Sequence, residues 1–211
     1  MGVTGLVPAR VMPPEDDETT IKLSEPYIHG GNQVLPLMEA LRRRCSTRAF
    51  SSEPLPEDTL STLLWAAAGI NRPGADGRTA PSAHAWQEID VYAALPRGLY
   101  CYDALGHALT LVVATDIRPV TGVQDFVANA AIDLVYVADF SRMTDANEED
   151  RKFYSATDAA VIAENVYLFC AATGLATVLR GLIDRKALAS AMQLGPQQRV
   201  ILAQTVGFPS E

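Results

Sequence analysis

The sequence predicts an α+β fold, and three observations carry that reading. Some stretches repeat their apolar residues at helical spacing, while others alternate as half-buried strands do. The two kinds are interspersed without the strict β-α-β alternation of a doubly wound parallel sheet. Across 211 residues, 48% are apolar and 20% charged, an ordinary balance for a chain that buries one sizeable core.

The elements follow in order. Residues 1–34 read as an N-terminal arm, and 35–211 as the folded domain. Met12-Pro13-Pro14-Glu15-Asp16-Asp17-Glu18 is proline-rich and then acidic, and Gly30-Gly31-Asn32 marks a flexible turn. Such an arm is either a solvated tail or a strap around a partner subunit.

A helix starts near Pro36, carries Leu37, Met38 and Leu41, and closes in Arg42-Arg43-Arg44 at the negative end of its dipole. Pro56 opens a second helix, with Glu57 and Asp58 in its first turn and a stripe of Leu60, Leu63, Leu64 and Ala67. Gly69 is expected to end it in the left-handed conformation. A polar loop over 71–82 follows.

Strands are expected over 88–95, 98–102, 109–115 and 132–138, with Pro96-Arg97-Gly98 as a hairpin turn. The longest helix runs over 147–173 and stops at Gly174. Its second half, 159–172, is apolar almost all round, which places it at the domain centre or in a subunit interface. Asp184 caps a short helix that reaches Gly195-Pro196, and 199–206 is a closing buried strand.

Several classes of function are disfavoured. A formal net charge of -8 argues against nucleic acid, whose binders present basic faces to phosphates. No stretch suits a membrane span and no signal peptide is visible, so a cytoplasmic location is the default expectation. Cys45, Cys101 and Cys170 have no C-x-x-C spacing, and His29, His84 and His107 are not at ligand spacing, so no metal is expected. The G-x-G-x-x-G, P-loop, H-E-x-x-H and G-x-S-x-G motifs are all missing.

Three segments remain that could carry chemistry. Arg44-Cys45-Ser46-Thr47-Arg48-Ala49-Phe50 sets two guanidinium groups and two hydroxyls just after a helix, a set suited to phosphate oxygens. Read alone, it is more readily a solvated helix end, as most surface charge runs are. Arg78-Thr79-Ala80-Pro81-Ser82-Ala83-His84-Ala85-Trp86-Gln87 has small residues around a proline, which lets backbone approach a flat ligand. Its ordinary alternative is a loop leading into a strand. Ala176-Thr177-Val178-Leu179-Arg180-Gly181 offers a glycine whose neighbouring N–H groups could face a ligand.

Taken in this order, the three segments resemble the nitroreductase family of flavoproteins. Arg44, Ser46, Arg48 and Phe50 match that family's Arg-x-Ser-x-[Arg/Lys]-x-Phe segment. Pro81, Ser82 and Gln87 match its Pro-Ser-x-x-x-x-Gln segment. Gly174-Leu175, Arg180-Gly181 and Gly207-Phe208-Pro209 match the later steps. The resemblance covers about residues 36–209.

It implies a three-layer α/β/α sandwich around a central mixed, mainly antiparallel sheet. It also implies a homodimer with flavin sites at the interface. Arg44, Ser46 and Arg48 would hold the phosphate and ribityl end of FMN. Pro81, Ser82, Ala83 and His84 would line the ring from the other subunit, joined by Arg78 and Gln87. Backbone N–H groups at Arg180 and Gly181 would approach flavin N5. The implied reaction is a ping-pong transfer from NADH or NADPH through N5 to a nitroaromatic, quinone or similar small-molecule acceptor, with no catalytic side chain required.

Two departures stand out. Ala85 occupies a place where family members often have asparagine, and Ser210-Glu211 follow the final Gly-Phe-Pro where many have basic residues. The Arg-Thr-Ala-Pro-Ser spelling is similar to the branch that contains azole-forming peptide oxidases. A dehydrogenase of a peptide or small cyclic substrate, and a flavin-binding protein without turnover, are therefore the alternatives.

Overall fold

The computed structural model describes residues 19–27, 35–75 and 77–210. Met12 to Glu18, Gly30-Gly31-Asn32 and His29 lie outside the described residues. At its centre are β1 (Thr20–Lys22), β4 (Ile89–Leu95), β5 (Gly98–Asp103), β6 (Ala108–Val113), β7 (Ile132–Asp139), β8 (Ala176–Arg180) and β9 (Gln198–Gly207). They form one seven-stranded sheet in the order β1-β6-β5-β4-β7-β9-β8. Every pairing given among the described strands is antiparallel. Thus residues 20–22, within the stretch read as an arm, add a strand to one edge. A separate hairpin, β2 (Ile70–Arg72) and β3 (Gly77–Arg78), occupies the expected polar loop.

The pleat sends alternate residues to opposite faces, so each strand feeds two cores. On one face Val91, Ala93, Tyr100, Leu134 and Tyr136 meet α2 (Glu57–Ala68) and α3 (Glu148–Thr173). On the other, Tyr92, Ala94, Leu99, Val135 and Val137 meet Leu188 and Met192, at and just beyond α4 (Arg185–Ala191). The short α1 (Leu37–Arg43) packs on α3. Helices therefore cover both faces, giving the three layers expected.

The helix ends are built by local chemistry. Asn147 caps α3 by accepting the Asp150 N–H at 2.9 Å, and Glu148, Glu149 and Asp150 suit the positive end of the dipole. Gly174 closes it at φ 79. Asp184 caps α4 through the Ala187 N–H, but that helix ends at Ala191, short of Gly195. Gly69 corrects the expectation made for it: its backbone is extended, at φ -72 and ψ 164. Glycine is needed there for close approach, since an added Cβ would lie 2.3 Å from the Trp65 ring.

Helix α3 is less enclosed than its composition suggests. Ala159, Ile162, Ala163, Val166 and Cys170 form a buried stripe on the sheet. Its outer side carries Ala156, Thr157, Ala160 and Glu164 in the open, together with Phe153, which is 63% exposed. Nearby α1 exposes Leu37 and Met38.

Candidate functional site

The first segment leaves α1 in extended form and lies against β8. The Thr47 N–H donates to the Thr177 carbonyl at 2.9 Å. Ser46 Oγ lies 2.8 Å from the Tyr167 hydroxyl, which accepts the Leu179 N–H at 2.9 Å. Either hydroxyl can donate in the Ser46–Tyr167 bond; where Tyr167 donates, the Ser46 proton is left for a ligand. The Arg44 guanidinium sits 5.3 Å over the Tyr167 ring. Arg48 is exposed, and neither Arg44 nor Arg48 meets a carboxylate among the described residues. Phe50 bridges to Pro209, and Ser51 N–H donates to the Phe208 carbonyl, so the closing Gly-Phe-Pro step buttresses the same corner.

The third segment, for which the sequence marks no strand, is one in the fold: β8. Arg180 is the last residue of β8, paired with Ala203, and Gly181 is the first beyond it. Gly181 is exposed, and only Leu202 Cδ2, at 3.8 Å, would come near an added Cβ. Backbone there can be approached closely. The Arg180 side chain runs the other way, into the core. It reaches Asp133 and Thr121, and an added Cβ on Gly122 would lie 2.0 Å from its Nη1.

The second segment is braced and strained. Arg78 Nε donates to Gln87 Oε1 at 3.0 Å, and the Gln87 N–H donates to Ser82 Oγ at 2.8 Å. The Ala83 N–H donates to Asp158 Oδ2 at 2.8 Å. His84, Ala85 and Gln87 hold φ angles of 51, 55 and 48, each costly for a residue with a Cβ. Pro81 is exposed, and the His84 ring stacks on Trp86 at 4.4 Å. Below this loop, Arg78, Pro81, Ser82, Glu88 and Asp158 line a cavity of about 20 Å³. The Glu88 carboxyl is buried and shifted upward, first by desolvation, with the nearby Asp158 charge adding to it.

The structure thus joins the first and third segments and leaves the second apart. Their anchors on α3, Tyr167 and Asp158, are separated by about 14 Å along the helix axis. Three residues escaped the sequence reading: Tyr167, Asp158 and Glu88. Tyr167 lies inside an apolar run and Asp158 at the head of one, which was the available signal; Glu88, between Gln87 and Ile89, carries no such signal. Among the described residues, no group of His, Cys, Asp and Glu could hold a metal ion, and no helix is long and apolar enough to cross a membrane.

Comparison with known proteins follows the same outline. The model of the nitroreductase family matches residues 41–208. A candidate nitroreductase of Methanocaldococcus jannaschii is 28% identical over 162 residues, covering 71% of this chain and 80% of that protein. A crystal structure of a candidate nitroreductase from Ralstonia eutropha JMP134 superposes with a TM-score of 0.86 at 46% identity, covering 99% of this chain and 97% of that one. The NADPH:FMN oxidoreductase of Vibrio harveyi, solved with NAD+, shares the fold at a TM-score of 0.63 and 19% identity, over 83% of this chain and 69% of that one.

Proposed function

Because the chain belongs to the nitroreductase family, a family of oxidoreductases, we propose that it is an FMN-dependent NAD(P)H oxidoreductase whose sites form between two subunits. One observation carries the reading. Arg44 and Arg48, with no carboxylate partner among the described residues, stand beside Ser46 at the same corner as the approachable backbone of Gly181. A phosphate and a ring can be held at the two ends of such a corner. The residues present therefore fit FMN. A structural relative at low identity, named as an NADPH:FMN oxidoreductase, agrees with that choice.

Arg44, Ser46 and Arg48 hold the phosphate and ribityl end. Backbone N–H groups at Arg180 and Gly181 face the ring edge, where a donor favours added negative charge. Pro81, Ser82, Ala83 and His84 supply the opposite wall from the second subunit. Arg78 and Gln87 keep that wall in its strained shape. The chemistry FMN supplies when bound is two-electron transfer, taken from NADH or NADPH and given to a nitroaromatic, quinone or similar acceptor in ping-pong order. The protein's part is to orient and to set the local electrostatics. The dimer is supported by the separation of the two wall segments on α3, and by the exposed apolar side chains Phe153, Leu37 and Met38.

The test is the visible spectrum of the purified protein, followed by anaerobic addition of NADH or NADPH. Flavin absorption that bleaches on addition is expected. A protein that neither retains nor accepts FMN overturns the proposal.

A further inference from the structure

A second feature lies on the far side of Gly181. Strand β8 pairs only with 203–207 of β9, so 198–202 keep β7 on one side and, among the described residues, run on without a strand on the other. The first turns of α3 overhang this stretch, and between them opens a groove of about 670 Å³. Its walls carry Arg151, Lys152, Arg185 and Arg199, in a chain whose formal charge is -8.

The three guanidinium groups have no carboxylate within ion-pair distance among the described residues. Arg185 donates to the carbonyls of Gly181, Val200 and Ile201. Arg199 donates to those of Pro196 and Gln198, and Arg151 to that of Met143. Arg151 and Arg199 converge on one ring, Phe140, at 5.9 and 5.8 Å. The one carboxylate on the wall, Glu148, is paired with Lys152 at 2.5 Å. Like charges gathered in this way repel unless an anion joins them.

Two buried polar atoms point the same way. Ser155 is fully buried on the groove wall, and its Oγ has no partner. The Nε of Arg151 is likewise buried and unpartnered. A buried donor left without an acceptor is costly, and natural structures supply one.

We propose that this groove binds the anionic oxygens of a substrate, a phosphate or a carboxylate, and holds that substrate's other end toward Gly181. The anion site stands on the groove's own residues. The assignment of its ligand as a redox substrate rests on the function proposed above.

Two measurements test these separately. The first titrates inorganic pyrophosphate into the full chain carrying Arg44→Ala and Arg48→Ala, so that the other anion-binding corner is removed and no flavin is needed. Saturable binding is expected, weakened at least tenfold by Ser155→Ala or Arg199→Gln. A purely structural Ser155 would instead leave binding unchanged while its removal raised the thermal midpoint. Absent binding, or binding indifferent to both substitutions, overturns the site. The second compares Arg199→Gln with the parent enzyme in steady state. A raised KM for NADH or NADPH at constant kcat assigns the phosphate. A raised KM for a carboxylated nitroaromatic, with an uncharged quinone unaffected, assigns the carboxylate. No selective change in either overturns the substrate role even where pyrophosphate binds.

Discussion

Arg180 and Asp133 meet at 2.8 Å with side chains 1% and 0% exposed, an ion pair buried in the sheet one residue before Gly181. Thr205 donates a further hydrogen bond to the same carboxylate oxygen at 2.5 Å. Burial pushes the Asp133 carboxyl upward, against the downward pull of Arg180 and Thr205. Removing one partner leaves the other charge buried alone, at about 3–5 kcal/mol. Asp133→Asn is expected to lower the thermal midpoint by roughly 6–20 °C, whereas Asp133→Leu with Arg180→Met recovers most of the loss. Calorimetry of the single and double variants checks this.

The phosphate corner predicts a selective binding defect. Arg44→Ala removes a charge-assisted hydrogen bond of about 1.5–3 kcal/mol, roughly 10- to 150-fold in FMN affinity. Riboflavin, which has no phosphate, should bind the variant as it binds the parent. Equal losses for both ligands in a fluorescence titration would remove Arg44 from that role.

His107 gives the chain a pH dependence of definite sign. Its Nδ1 meets the Tyr102 hydroxyl at 2.8 Å, and its Nε2 meets the Ser24 carbonyl at 3.0 Å and Ser61 Oγ at 2.8 Å. Burial, the larger influence, holds it below its ordinary value of 6.5, while the Ser24 carbonyl pulls it upward. The unfolded chain therefore takes up this proton first as pH falls. The contribution is fully present above pH 6.5 and is lost as pH drops from there through the lower folded value. His107→Gln should flatten that part of the stability profile, as read by denaturant titration between pH 7.5 and pH 5.5, a range set by the imidazole's usual titration at about 6.5.

Phe153, 63% exposed on the outer face of α3, is expected to be covered in the dimer. Phe153→Asp should shift sedimentation toward monomer and release flavin with it, because each site would lose its second wall. A monomeric variant that keeps its flavin would show that one subunit suffices.

At φ 55, Ala85 pays for its conformation, and asparagine tolerates that region better than most residues. Ala85→Asn should stabilise the chain by about 0.5–1 kcal/mol, some 1–4 °C. A lowered midpoint would indicate that the side chain collides in the loop.

Most of the fold was legible because its signals are local. Asn147 and Gly174 bracket α3, Pro96-Arg97 turns β4 into β5, and the stripe of Leu60, Leu63 and Leu64 marks α2. What was not legible depends on distant partners. Strand β8 is too short to show its period and is recognised only by its pairing with β9. Gly69 was read for its freedom of φ, whereas it is fixed by the Trp65 ring. The candidate site was visible as Arg44, Ser46 and Arg48, since their spacing is part of the chain. Tyr167, which ties Ser46 to Leu179, was not, because only packing brings it there.

The half of β9 that extends past β8 has a consequence for the edge of the sheet. Between Val137 and Tyr136 the register slips, so that Ile201 is an extra residue in β9. Arg185 donates to the carbonyls of both Val200 and Ile201. A side chain thereby occupies acceptors that an incoming strand would need, and the irregular register spoils the template. The sheet is guarded at this stretch, where it would otherwise invite edge-to-edge stacking into fibres.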